Sequence, residues 1–167
     1  MSNNPIFVLD ANVFIQAARQ YYAFDLVPCF WDILKRYAQK GYICTIDFVK
    51  REIVTNKDQL ANWFQNEFSN YCFDAMRDGE VVKAYREIIK WVSKNPQFKD
   101  EAKRDFASGA DGWVIAYAMV HNCVVVTHER YDPNIKRKVP IPNVCREFDV
   151  SYIDTFDMMR KLEMKIC

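Results

Sequence analysis

The sequence has little glycine, little histidine and almost no net charge. Its 167 residues include 4 glycines and 2 histidines, and the formal net charge is +1. Scarce glycine beside 50% hydrophobic residues argues against disorder and favours a helix-rich globular chain with a buried core. Because no overall field draws the chain to nucleic acid or to a membrane, electrostatic binding has to come from local patches.

The 6 cysteines are widely spaced and form no C-x-x-C motif. With His121 and His128 as the histidines, this spacing argues against a zinc site. The cysteines are therefore predicted to be reduced and mostly buried, as in a cytoplasmic protein. No apolar run is long enough for a signal peptide or a membrane span, so we expect no membrane association.

The first apolar run, residues 6–9, lies between Pro5 and Asp10. Four apolar residues are too few for a helix, so the run is predicted to be a short buried strand. Asp10 then stands where the strand ends, which is where open parallel α/β sheets bind ligands. Asp10 is therefore a candidate for chemistry, and Asn12 is the expected N-cap of a short helix that follows.

Apolar periodicity predicts strands and helices in alternation along the rest of the chain. Strands are expected at 42–45, 123–127 and 151–153, and helices at 27–39, after Thr45 or Asp47, at 108–121 and at 155–164. Residues 55–105 are expected to be helical throughout, as a subdomain that covers one side of the sheet. The alternation predicts βαβ units in a single domain over residues 1–167, with helices on both faces of a parallel sheet.

Four acids are predicted to meet at one edge of this sheet. Asp10 and Glu129 follow predicted strands, and Glu52 and Asp111 lie on predicted helices near the same edge. Clustered carboxylates repel one another and lose solvation, a cost that a hard divalent cation removes. Mg²⁺ takes oxygen ligands and is usually held by a few carboxylates and a substrate phosphate. The pattern indicates metal-assisted hydrolysis of a phosphodiester.

Four stretches resemble the four motifs of PIN-domain ribonucleases: V-L-D-A-N-V-F-I at 8–15, V-K-R-E-I at 49–53, A-D-G-W-V-I-A-Y-A at 110–118 and V-V-T-H-E at 125–129. More narrowly, the last two and K-R-K-V-P-I-P at 136–142 resemble the bacterial PIN-like subgroup DUF4411. The resemblance covers nearly the whole chain. It implies an α/β protein, a three-layer α/β/α sandwich with a parallel sheet and a helical insertion, and RNA cleavage that depends on Mg²⁺ or Mn²⁺.

The resemblance assigns metal-binding and catalytic roles to Asp10, Glu52 and Asp111, which match the motifs directly. PIN proteins often have Asp or Asn two residues after the strand-end threonine, whereas this sequence has Glu129. We assign Glu129 to the same site, where its longer side chain reaches the metal or acts through water.

The sequence also allows purely structural interpretations of the four acids. Asp10 at a strand end can cap a helix, and Ser108 with Asp111 fits a capping box. Glu52 on an amphipathic helix is usually a solvated charge. His128, next to the last acid, is a lone histidine and a weak signal for a general base.

The neighbours of the acids are expected to support the reaction. Asn12 and Thr127 are predicted to hydrogen-bond to the metal ligands or to bound water, with a helix cap and a structural strand end as their alternatives. The basic run Lys136-Arg137-Lys138 is predicted to bind RNA phosphates, and its alternative is a solvated loop.

The expected function is therefore a metal-dependent endoribonuclease with RNA as its substrate. One alternative is a phosphohydrolase that uses Asp10 as a covalent nucleophile, although such enzymes have a second Asp where this chain has Asn12. The other is a PIN fold retained as a binding or regulatory module without turnover. Because many bacterial PIN proteins are toxins, the resemblance also implies that the chain is the toxin of a toxin–antitoxin pair, with an antitoxin protein as its partner. A second copy of the chain is a further candidate partner.

Overall fold

The computed structural model describes residues 6–166, so Pro5 and Cys167 lie outside the described residues. Its strands are β1 Phe7–Leu9, β2 Ile43–Ile46, β3 Cys72–Phe73, β4 Val124–Val126 and β5 Tyr152–Ile153. They form one sheet in the order β3-β2-β1-β4-β5, and every pairing is parallel. β1 lies at the centre and is fully buried, as the continuous apolar run predicts.

The helices alternate with these strands. They are α1 Ala11–Gln16, α2 Pro28–Gln39, α3 Asp47–Val54, α4 Gln59–Trp63, α5 Gly79–Lys94, α6 Asp100–Ser108, α7 Asp111–His121, α8 Ile141–Glu147 and α9 Thr155–Lys161. α1 and α4 run on into π-helical segments at Ala17–Tyr21 and Phe64–Phe68. The predicted α/β class with a parallel sheet is confirmed. Within residues 6–166, no helix is both long and apolar enough to cross a membrane.

Residues 55–105 are not helical throughout, and that prediction is wrong at β3. Cys72 and Phe73 pair with Thr45 and Ile46 of β2 and add a fifth strand at the edge of the sheet. Cys72 is partly buried and Phe73 is exposed. A strand of two residues gives no alternating pattern that would distinguish it from the helices around it.

The cysteines also differ from the prediction at one position. Cys44, Cys72, Cys123 and Cys145 carry free thiols, and burial raises the pKa of the Cys123 thiol to about 11. Cys29 is disulfide-bonded. The expectation that the cysteines are reduced is therefore wrong for Cys29.

Parallel register brings the ends of β1 and β4 together. Leu9 lies opposite Val126, and the Asp10 N–H donates to the Val126 carbonyl at 3.2 Å. On the other side, the Thr45 hydroxyl of β2 donates to the Leu9 carbonyl at 2.7 Å. Asp10 and Thr127 are thus fixed side by side just beyond the sheet.

The first turn of α7 packs closely against α5 and α6. Tyr85 of α5 stacks on Trp113 of α7 with ring centroids 3.8 Å apart. A Cβ at Gly112 would lie 3.0 Å from the Tyr85 ring and 3.1 Å from the Phe106 ring. A Cβ at this position would require the two rings to move by a few tenths of an ångström, so glycine permits the close packing beside Asp111.

Candidate metal centre

Asp10 is buried and half satisfied. It is 1% exposed, and its Oδ1 accepts a hydrogen bond from the Val13 N–H at 3.0 Å. Asp10 is therefore the N-cap of α1, and the prediction of a cap at Asn12 is wrong. Its Oδ2 is buried and has no hydrogen-bond partner among the described residues. A buried carboxylate oxygen without a partner is costly, so a missing ion or ligand is a natural explanation.

Burial is the largest influence on Asp10 and raises its pKa to about 7. The nearby Thr127 side chain, although it forms no hydrogen bond with Oδ2, and the Val13 N–H lower the pKa of Asp10, whereas the negative charge of Glu129 raises it. Desolvation thus outweighs these polar neighbours, and the charged form of Asp10 needs a cation nearby.

The pKa of Asp111 depends on its burial and on the charges of all three other predicted acids. Burial, and then the negative charges of Glu129, Asp10 and Glu52 in that order, together raise the pKa of Asp111 to about 8, although the positive charge of Lys138 lowers it. The negative charges of the three other predicted acids thus act on Asp111, and we call these four residues the acid cluster. Two carboxyl groups that hold their protons near neutral pH are suited to exchange them for a divalent cation.

The start of α7 is not a capping box. The Ser108 hydroxyl donates to the Asp105 carbonyl at 3.1 Å, and Ala110 occupies the cap position. The Ala110 N–H instead donates to Oε1 of Glu52 at 2.9 Å. Glu52 is exposed, as its solvated-charge alternative predicts, and it also links α3 to the turn that carries Asp111.

Glu129 is held by its own backbone and by the loop that follows it. Its N–H donates to the Thr127 hydroxyl oxygen at 3.1 Å, and its Oε2 accepts from the Ile141 N–H at 2.8 Å. Its Oε1 lies at ion-pair distance from the Lys138 ammonium but without hydrogen-bond geometry. Thr127 thus acts on both acids at this strand end: it accepts a hydrogen bond from the Glu129 N–H, and it lowers the pKa of Asp10.

The basic run lies beside the acids. Burial acts to lower the pKa of Lys138, but Glu129, then Asp111 and Asp10, raise it on balance. Arg137 and Lys138 line a cavity of about 240 Å³ that adjoins Asp111. Lys138 is thus tied to the acids although its side chain is 50% exposed, and binding of RNA by the run stays a prediction.

The acid cluster has oxygen donors of the kind that a hard cation binds, but the donors do not form a complete coordination site. Among residues 6–166, no three His, Cys, Asp or Glu side chains stand in an arrangement that holds a metal ion. The carboxylate donors fit Mg²⁺ or Mn²⁺, and the unsatisfied oxygen of Asp10 supplies a free ligand. Oε1 of Glu129 is also buried without a hydrogen-bond partner, but it lies at ion-pair distance from the Lys138 ammonium. A metal ion would compete with that ammonium at Glu129, so Asp10 and Asp111 are the stronger candidate ligands.

Asn12 and His128, which are near the acids in sequence, differ in their surroundings. Asn12 is exposed on the first turn of α1, and its role near a metal stays a prediction. The Nε2 atom of His128 lies 2.9 Å from the Thr155 hydroxyl oxygen, so this histidine is engaged by the start of α9. The sequence analysis missed the Lys138–Glu129 pair, because residues nine positions apart in a loop have no fixed spacing to reveal a contact.

The family model DUF4411, described as a domain of unknown function, matches residues 7–166. No curated protein sequence matches the chain. Among solved structures, VapBC2 from Rickettsia felis, bound to a DNA fragment from their promoter, is similar with a TM-score of 0.54 and 13% identity over 89% of this chain and 98% of that chain. FitAcB from Neisseria gonorrhoeae is similar with a TM-score of 0.52 and 17% identity over 89% of this chain and 96% of that chain.

At these identities the likeness to the two structures concerns the fold alone, and it agrees with the PIN-like class. The family match, by contrast, rests on sequence and covers almost every residue of the chain. The chain therefore belongs to the DUF4411 family.

Proposed function

We propose that this protein is an endoribonuclease that depends on Mg²⁺ or Mn²⁺ and works at the acid cluster. The observation that carries the proposal is the buried, unsatisfied Oδ2 of Asp10 among the other acids. The PIN-like fold and the position of Asp10 beyond a central parallel strand support it. When bound, the divalent cation lowers the pKa of a water molecule and stabilises charge on the scissile phosphate.

The side chains of the acid cluster divide the work of holding this site. The Val13 N–H fixes Oδ1 of Asp10, so the second oxygen is presented to a ligand. Glu52 fixes the turn before Asp111 through the Ala110 N–H. Arg137 and Lys138 place positive charge beside the acids, where the RNA backbone has to approach.

The substitution Asp10→Asn tests the proposal. Asparagine keeps the size of the side chain and an oxygen that accepts from the Val13 N–H, so we expect the fold to persist and RNA cleavage to be lost. Labelled RNA is incubated with purified wild-type and variant protein in Mg²⁺, in Mn²⁺ and in EDTA. Asp25→Asn is the matched control, since Asp25 is exposed. Equal cleavage by wild type and Asp10→Asn would remove Asp10 from the reaction.

The same assays separate the alternatives. A wild-type chain that neither binds Mn²⁺ nor cleaves RNA would favour a PIN fold used as a binding or regulatory module. A phosphoryl group trapped on Asp10 would favour a phosphohydrolase with a covalent intermediate.

We further propose that a protein partner of the antitoxin type restrains this nuclease in the cytoplasm. The PIN resemblance implies such a partner, and the similar VapBC2 structure is bound to a DNA fragment from their promoter. Expression of the wild-type chain alone should arrest growth of a bacterial host, and Asp10→Asn should not. Relief by co-expression of the adjacent gene supports the pair, and harmless wild-type expression argues against it. Light scattering on the purified chain tests the predicted homodimer.

A further inference from the structure

A second cleft opens beside the acid cluster, beyond the ends of β4 and β5. Its volume is about 530 Å³, within the range of about 300–1,000 Å³ usual for ligand sites. Thr127 and Glu129 belong to its lining and are also part of the acid site. Whatever occupies this cleft therefore lies next to the group that the acid cluster binds.

The cleft carries an aromatic surface that faces solvent. Tyr21, the last residue of the π-helical segment after α1, is 46% exposed although it is a large aromatic side chain. Its ring packs edge to face on Phe156 at 5.4 Å and lies 5.8 Å from the His128 ring. The Thr155 hydroxyl fixes His128 in turn. Tyr21 is thus an exposed ring that its neighbours hold in position.

The acidic side chains that line the cleft repel an RNA strand less strongly than their number suggests, because most of them are paired. Asp154 is engaged by the Asp157 N–H at 2.8 Å, and Asp157 pairs with Arg160 at 3.0 Å. Glu129 is paired with Lys138, and the exposed Arg130 adds a cation to the lining. The lining is polar with aromatic rings, a composition that suits a nucleobase better than a purely apolar ligand.

We propose that this cleft is a nucleobase subsite, in which Tyr21 stacks on the base of the nucleotide next to the phosphate at the acid cluster. The inference rests on the proposed function and deepens it, because it identifies the substrate as single-stranded RNA. A base within a duplex is already stacked and paired, whereas an unpaired base can be splayed out onto an aromatic ring.

Binding measurements on Tyr21 variants test the subsite. Fluorescence anisotropy follows a short labelled single-stranded RNA bound to the Asp10→Asn chain, in which cleavage is absent. Addition of Tyr21→Ala should weaken binding roughly 5- to 150-fold, the effect of removing one stacked base. Tyr21→Phe keeps the ring and should bind like the parent. Phe73→Ala is the matched control, because Phe73 is 47% exposed but lies on β3 at the opposite edge of the sheet.

An RNA series with one abasic nucleotide at each position identifies the contact. The parent chain should lose affinity when the base at one position is missing, and Tyr21→Ala should show no further loss there. Similar losses in both chains at every position would overturn the subsite. So would unchanged RNA binding in Tyr21→Ala, including the case in which that variant loses a protein partner instead.

These outcomes are separate from the test of the nuclease itself. RNA cleavage by the wild type with full RNA binding by Tyr21→Ala would overturn the subsite alone. Binding that depends on Tyr21 and on the base, in a wild-type chain that never cleaves, would overturn the nuclease alone. Circular dichroism and the melting temperature of Tyr21→Ala are measured to check that this variant retains the fold.

Discussion

Glu129 shows how one residue joins the strand end, the loop and the acids. Its backbone bonds to Thr127, its Oε2 accepts from the Ile141 N–H, and its Oε1 lies against Lys138. Its Oε2 is therefore held by a hydrogen bond, whereas its Oε1 has the charge of Lys138 beside it but, like Oδ2 of Asp10, no hydrogen-bond partner among the described residues. Because the Lys138 ammonium competes with a metal ion for Oε1, this arrangement favours a role for Glu129 in positioning and in the charge of the site over permanent coordination.

We predict that Glu129→Gln lowers RNA cleavage clearly, but less than Asp10→Asn does. Glutamine keeps an oxygen for the Ile141 N–H and loses the charge that Lys138 and the metal use. Loss of a residue that supports the metal ligands typically costs about 10- to 100-fold. Cleavage rates at several Mn²⁺ concentrations provide the measurement, and excess Mn²⁺ should partly restore the variant by mass action. Wild-type rates in Glu129→Gln would leave a site of three acids.

At the level of elements, the loop after β4 carries the basic run back to the acids. Lys138 reaches Glu129, and Arg137 lines the cavity beside Asp111. Positive charge in this position attracts a phosphate backbone without reading its bases. The loop is thus the element on which the electrostatic part of RNA binding should depend.

Replacement of Lys136, Arg137 and Lys138 by Ala should weaken RNA binding to a similar degree for all sequences. It should also flatten the salt dependence, because each lost phosphate contact reduces the slope by about 1. Affinity is measured over a series of salt concentrations in the Asp10→Asn background. Substitution of the exposed Lys83, Arg86 and Lys90 on α5 removes the same charge elsewhere and should have little effect. Equal slopes for the two triple variants would show that the loop is not the RNA contact.

The packing of α7 against its neighbours depends on Gly112. An added Cβ would meet the Tyr85 and Phe106 rings at 3.0 and 3.1 Å, so Gly112→Ala should destabilise the fold by about 1–3 kcal/mol, as overpacking does. Chemical denaturation measures this loss. Gly79→Ala is the control, since nothing lies within 4 Å of a Cβ there. If the two variants are equally stable, α7 is free to shift and does not hold Asp111 rigidly.

At the level of the whole molecule, the sequence predicts the sheet centre and the acid positions, but not what binds them. Continuous apolar runs identify β1 and β4, and the acids that follow them converge because the strands are parallel and adjacent. β3 has two residues and no pattern. The cap at Asp10 instead of Asn12, the Lys138–Glu129 pair and the exposed Tyr21 all depend on loop and helix-end conformations, which local sequence leaves undetermined.

The acid cluster also links the stability of the whole molecule to pH. Asp10 and Asp111 have pKa values of about 7 and about 8 in the folded chain, against an ordinary value of 3.8. Between these limits the folded chain binds more protons than the unfolded chain. Their contribution to the free energy of unfolding is therefore complete below about pH 4. It declines as the pH rises above that value and is lost once the pH has passed about 7 to 8.

In EDTA, the unfolding free energy of the wild type should accordingly fall across this pH range, and Asp10→Asn should show a shallower fall because one of the two groups no longer titrates. Mn²⁺ binds the folded chain and replaces the protons, so it should raise the melting temperature of the wild type more at pH 8 than at pH 6. The rise should be smaller in Asp10→Asn, which lacks the free ligand oxygen. Denaturation at several pH values, with Mn²⁺ and with EDTA, measures both effects. Parallel profiles for the two proteins would mean that Asp10 neither titrates nor binds the cation, and the acid cluster would then have to work without its central residue.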